Sequence, residues 1–305
     1  MNKKYRISSG IILVLILVIS LFTGCKGGKK AAQEEIPVSP PKDNTAVLQD
    51  IKKAETIFNA LPSPLESAML IKSAGARFDG SLLNPVKNVS SYVSSKAMAL
   101  NLGVYTCDLS FASLYEQNQL LLDYMTAAKR MADNLGILDA IRQEDLDKLE
   151  ENINNSEVIM EVVSQTFMES NSSLEDSGRS STAATVLVGG WIEGLYISTQ
   201  LIDMKEFNGN KLVTRIIDQK LSIDILLDLL KSNSGDPAVG ELIVQVAKLK
   251  AVFDKIKINT SNVRTEFDQA SNTTVLKSDV QTDMTPAVFQ ELSAIVAEIR
   301  NSFVK

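Results

Sequence analysis

Hydrophobic positions in this chain recur every three or four residues. Leu121, Tyr124, Ala128, Met131 and Leu135 make one stripe. Leu242, Val246, Leu249, Phe253 and Ile256 make a second, and Val288, Leu292, Ile295, Ile299 and Phe303 a third. That spacing places each set on one face of an α-helix. No convincing series of strand segments, which would alternate every two residues, accompanies them. The expected fold is all-α, a single array of about eight to ten helices over residues 45–305.

The prolines agree with this reading. Of the 8, Pro37, Pro40 and Pro41 precede the helical region and Pro62 falls in a turn. The other four follow a residue that caps helices well: Ser63-Pro64, Asn84-Pro85, Asp236-Pro237 and Thr285-Pro286. Proline fits the first helical position, where its missing N–H has no intrahelical partner. Each pair therefore predicts a helix start, and Glu66 completes a capping box with Ser63. Gly136 is placed to end the helix that carries Leu135. Residues 258–284 are polar and rich in Thr, Ser and Asn, and read as a long loop with at most one short hairpin.

Two segments are apolar all round. Between Ala97 and Tyr115 the only charged side chain is Asp108; between Ser180 and Ile202 it is Glu193. Such helices belong at the centre of a bundle. The apolar middle of the second, Ala183 to Ile197, is too short for a membrane span and contains an acid. At an offset of 86 residues the two align: Gly103-Val104-Tyr105 with Gly189-Gly190-Trp191, Leu109 with Leu195, and Ala112-Ser113 with Ser198-Thr199. Either a degenerate duplication or two central helices under the same packing rules produces that likeness.

The most distinctive stretch is Gly190-Trp191-Ile192-Glu193-Gly194-Leu195-Tyr196. Gly190 and Gly194 share a helix face and admit either a closely packed helix or a ligand walled by Trp191 and Tyr196. Asp108 and Glu193 are lone acids on apolar helices. An unpaired buried carboxylate is prohibitive, so each must find a donor or keep its proton. If they converge in a cleft, they make an acid/base pair suited to hydrolysis; otherwise they are structural. Cys107, beside Asp108, is expected to be an inert buried thiol. Asn233 to Pro237 lacks calcium-loop spacing, and no phosphate loop, dinucleotide fingerprint or cysteine cluster is present. No metal or cofactor site is predicted.

Composition narrows the chemistry. The chain has 0 histidines. That removes His-based triads, the Cys-His pair and His-ligated zinc. Any enzyme here would depend on carboxylates, Lys, Tyr or Ser.

The amino terminus supplies an address. Lys3, Lys4 and Arg6 precede the uncharged run Ile11 to Phe22, which is too short to span a bilayer and reads as a signal peptide, residues 1–24. It ends in Leu21-Phe22-Thr23-Gly24-Cys25. This resembles a bacterial lipobox, with Phe22 where Leu is usual, and predicts lipidation of Cys25. Residues 25–44 form a lipidated, Gly-, Pro- and charge-rich tether. Loss of 1–24 leaves 28 basic against 37 acidic groups, a net charge of −9. An acidic surface argues against nucleic acid as a partner and leaves the lipid as the link to the bilayer. Lys26 lacks the inner-membrane retention signal familiar from enteric bacteria, which favours the outer membrane.

With the lipobox, Asn101 to Tyr105, Asp108-Leu109-Ser110 and Gly189 to Tyr196 taken together, the chain resembles a group of uncharacterised all-helical lipoproteins of Gram-negative bacteria. The resemblance covers most of the chain after Cys25. It implies fold and location and transfers no site residue. The expectation is a membrane-tethered envelope lipoprotein whose helical domain binds an envelope protein or small ligand without catalysis. The alternative is an envelope hydrolase using Asp108 and Glu193.

Overall fold

A computed structural model describes residues 61–138, 141–260, 264–268, 273–277 and 280–305. The signal peptide, Cys25 and the tether lie outside the described residues. Within them the fold is an all-α array of nine α-helices with one β excursion. In chain order they are α1 (Pro64–Ser73), α2 (Ser95–Leu114), α3 (Asn118–Asn134), α4 (Gln143–Glu151), α5 (Ser156–Asp176), α6 (Ser180–Gln200), α7 (Lys211–Ser232), α8 (Pro237–Phe253) and α9 (Pro286–Phe303). No helix among the described residues is long and apolar enough to cross a membrane.

Three of the four capping pairs start helices. Ser63 Oγ accepts from Glu66 N at 3.2 Å while Glu66 Oε2 accepts from Ser63 N at 2.7 Å, closing the capping box. Asp236 accepts from Ala238 N at 2.9 Å and Thr285 from Val288 N at 3.3 Å. Asn84-Pro85 is a correction: it opens a 3-10 segment, Val86–Ser91, and Asn84 caps nothing. Asn84 is fully buried and its side chain bonds Tyr92 and Asn101 instead. Gly136 follows the end of α3 at φ +66°, where its N–H reaches back to Asp133 O at 2.8 Å. The three stripes face the core, with α9 turned slightly so that Phe289 and Val296, rather than Val288 and Ile295, are its most buried positions.

Where residues 258–284 read as a long loop with one short hairpin, the described residues form more β structure than that. β1 (Lys257–Thr260) pairs antiparallel with β4 (Val280–Asp283), and β2 (Arg264–Asp268) with β3 (Thr273–Lys277). The second ladder nests inside the first, shifted by one residue in register. The segment's threonines and valines are β-branched, which favours a pleated backbone even where polarity suggests a loop.

Helices α2 and α6 hold the centre. All but a few of their residues are buried. They touch through backbone. A Cβ on Gly103 would lie 2.0 Å from Val186 O and 2.5 Å from Gly190 N; one on Gly189 would lie 2.0 Å from Leu100 O. Further along, Cys107 Sγ lies 3.7 Å from where a Gly194 Cβ would sit. The paired positions rise together, so the helices run parallel. They are related by the offset of 86 seen in the sequence: Gly103 meets Val186 as Gly189 meets Leu100. The other glycine face receives α1, with Pro64 Cγ and Ser67 Cβ each 2.7 Å from the Cβ positions of Gly190 and Gly194.

These distances rank the substitutions. Gly189→Ala forces two backbones apart and should cost about 3 kcal/mol, the upper end for overpacking. Gly190→Leu and Gly194→Leu meet side chains of α1 and should cost about 1–3 kcal/mol each. Thermal melts followed by circular dichroism measure both; unchanged midpoints in all three variants would mean that these faces are open.

Candidate functional site

The parallel crossing of α2 and α6 fixes where their acids lie. Asp108 follows Cys107 and Glu193 precedes Gly194, so the contact at 107/194 brings the two carboxyl groups together. Both are fully buried. The sequence left open whether they meet; they do, and each carboxyl perturbs the titration of the other.

A third charge completes the group. Arg300, on the buried side of α9 beside Val296 and Phe303, grips Glu193 with two bonds: Nε to Oε2 and Nη2 to Oε1, both 2.9 Å. This planar, two-point geometry is the strong form of an ion pair. Nη2 also donates to Leu82 O at 3.1 Å. The guanidinium carbon sits 4.6 Å from the centre of the Tyr196 ring, a cation–π contact.

One guanidinium balances one carboxylate, and a second buried carboxyl must then stay neutral. Asp108 Oδ2 accepts from Asn84 N at 3.0 Å, but Oδ1 has no donor among the described residues. A proton on Asp108, donated to Glu193, accounts for the contact and for the orphaned oxygen. Burial pushes the Asp108 carboxyl well above the usual carboxylate range; the Glu193 charge adds to this and Arg300 opposes it. Burial also raises Glu193, against the pull of Arg300. The Cys107 thiol is raised by burial and then by both acids, which removes its nucleophilic form.

Around this triad runs a buried polar seam. Asn84 Nδ2 donates to Tyr92 Oη and Asn101 Oδ1, each at 3.0 Å. Asn101 Nδ2 donates to Phe303 O at 2.8 Å, and Tyr92 Oη to Val304 O at 3.4 Å. These bonds satisfy carbonyls at the C-terminal end of α9, which have no intrahelical donor. The seam thus ties residues 82–92, α2, α6 and α9 into one unit.

Trp191 and Tyr196 do not wall a common pocket. Trp191 is buried, donates Nε1–H to Gln219 of α7 at 3.1 Å and packs near Phe253. Tyr196 lies under Arg300 instead. The backbone between them is covered by α1. Neither Asp108 nor Glu193 lines any of the principal cavities. No cluster of metal-ligating side chains occurs among the described residues. Sequence reasoning passed over Arg300, named Asn101 only in the resemblance, and read Asn84 as a helix cap rather than a core polar group. Arg300 carried a signal: it falls four residues after Val296 and three before Phe303, a charged side chain on an otherwise apolar face.

The group makes two predictions. Arg300→Met strands a buried carboxylate and should cost about 3–5 kcal/mol in a urea melt. Asp108→Asn preserves an acceptor for Asn84 and a donor toward Glu193 but cannot titrate. In the wild type the unfolded chain loses the Asp108 proton near pH 3.9 while the folded chain keeps it. Stability therefore falls as pH rises above about 4, by up to about 1.4 kcal/mol per unit. The Asn variant should gain on the wild type over pH 4–7; a constant difference across that range would exclude a buried proton on Asp108. Comparison with protein-family models, curated proteins and solved structures gives no match for this chain.

Proposed function

We propose that this chain is a membrane-tethered lipoprotein of the bacterial cell envelope, anchored through lipid on Cys25 and positioned at the outer membrane. Its helical domain acts as a non-catalytic binding or structural module for an envelope protein or small ligand. The observation that carries the reading is the state of its acids. Asp108 and Glu193 are consumed by Arg300, Asn84 and each other, fully buried and away from the principal cavities. A hydrolytic carboxyl pair needs substrate and water between its members. The absence of histidine removes the usual general base at neutral pH. The lipobox-like junction and the net negative charge support lipid, rather than surface electrostatics, as the membrane link.

A second reading, an envelope hydrolase, has one observation in its favour: the two acids do converge, and burial raises both above the usual carboxylate range. It would need an opening between α2, α6 and α9 to admit substrate.

Growth with labelled palmitate tests the anchor. Label should enter the wild type and not Cys25→Ser, and the wild type should sediment with membranes. Soluble, unlabelled wild-type protein would overturn it. Asp108→Asn and Glu193→Gln separate the two functional readings: envelope hydrolysis lost in both, with folding intact, would replace the binding module by the enzyme.

A further inference from the structure

A chamber of about 70 Å³ lies between α2, α3, α4, α5 and α6, away from the acid group. Its accessible wall is carbon almost throughout, with Leu102, Leu149, Val163 and Phe167 among its residues. Water fills such a space poorly, because a buried water needs polar partners. The space forfeits contacts that an apolar guest would restore. Among the described residues one charged side chain lines it. Met125, Ala128 and Lys129 stand three and four residues apart, on the edge of α3 that borders the chamber. Lys129 is half-buried, so its alkyl stem lines the wall while the ammonium keeps to the surface. The cations at α4 are paired: Arg142 with Asp145 at 2.9 Å and Glu169 at 3.7 Å, and Lys148 with Glu161 at 3.8 Å. Lys129 pairs with no acid among the described residues.

We propose that the chamber binds a short aliphatic carboxylate, methyl end inward, with its carboxylate outside the chamber against Lys129. The proposal rests on the reading of the domain as a binding module and names its ligand class. An apolar cavity of about 150 Å³ holds a benzene ring, so one of about half that size takes about three or four carbons. The carbon wall selects hydrocarbon for the tail, since a polar tail would lose its water and gain no partner. Lys129 selects the head: an ammonium is repelled, and a carboxylate gains a charge-assisted hydrogen bond. Together the two features set the length. A chain much longer than the chamber carries its carboxylate past Lys129 when its tail is inside.

The test is thermal melting of the full lipidated chain in nanodiscs of uncharged lipid, at matched ionic strength, with butanoate, butylammonium and octanoate as probes. Butanoate at ten times its dissociation constant should raise the midpoint saturably by about 2–4 °C. Butylammonium has the same tail and the opposite charge, and should give no shift. Octanoate should bind more weakly than butanoate. Lys129→Met keeps the stem and removes the charge, and should raise the butanoate dissociation constant about three- to tenfold. Ala128→Leu fills the chamber from its wall and should abolish the shift. No saturable rise with butanoate, an equal rise with butylammonium, tighter binding of octanoate, or an unchanged dissociation constant in Lys129→Met overturns the proposal. If Ala128→Leu fails to fold, Lys129→Met decides. Envelope hydrolysis lost in Asp108→Asn and Glu193→Gln would replace the binding module without moving these melts, and flat melts would remove the carboxylate ligand without making the domain an enzyme.

Discussion

Where α2 and α6 cross, peptide groups meet with no side chain between them. Gly103 lies against Val186 O and Gly189 against Leu100 O, at distances that no Cβ could occupy. Helices this close cannot slide, because each glycine allows approach at one point and neighbouring side chains block it elsewhere. The register of the two central helices is fixed there. From it follow the adjacency of Cys107 with Gly194 and the meeting of Asp108 with Glu193.

That meeting constrains the rest. Two acids in a dry core need one cation and one proton, and the fold supplies both. Arg300 arrives from α9, far along the chain, and brings the C-terminal end of that helix against Asn101 and Tyr92. Breaking such a pair costs more than forming it yields, because the remaining charge is stranded in low dielectric. The group therefore works as a lock on the position of α9, and the residues with the most reactive chemistry in the chain are spent on assembly.

The two central helices share an offset of 86 residues in sequence and the same offset in contact. Their parallel packing explains the likeness in part: each helix meets the same surface in the other, so both need glycine at the same point in the crossing. The hairpin partners preserve the correspondence loosely, with α3 starting at Asn118 and α7 just after Asn210.

Local features were legible because their physics is local. The 3.6-residue stripes of α3, α8 and α9, the capping box at Ser63, the caps at Asp236 and Thr285 and the glycine after Leu135 each involve groups within a few residues of one another. The all-round apolarity of 97–115 and 180–202 likewise fixed their central burial. Where local rules and distant partners competed, sequence failed. Asn84 looks like a cap but is drawn into the core by Tyr92 and Asn101. Residues 258–284 read as a long loop with one short hairpin, yet the described residues there pair in two antiparallel ladders. The sequence by itself determined a helical domain with two buried helices and a lone acid on each. Only the tertiary structure decided that the acids meet and that Arg300 pairs with Glu193, because both depend on segments that come together only when the chain packs.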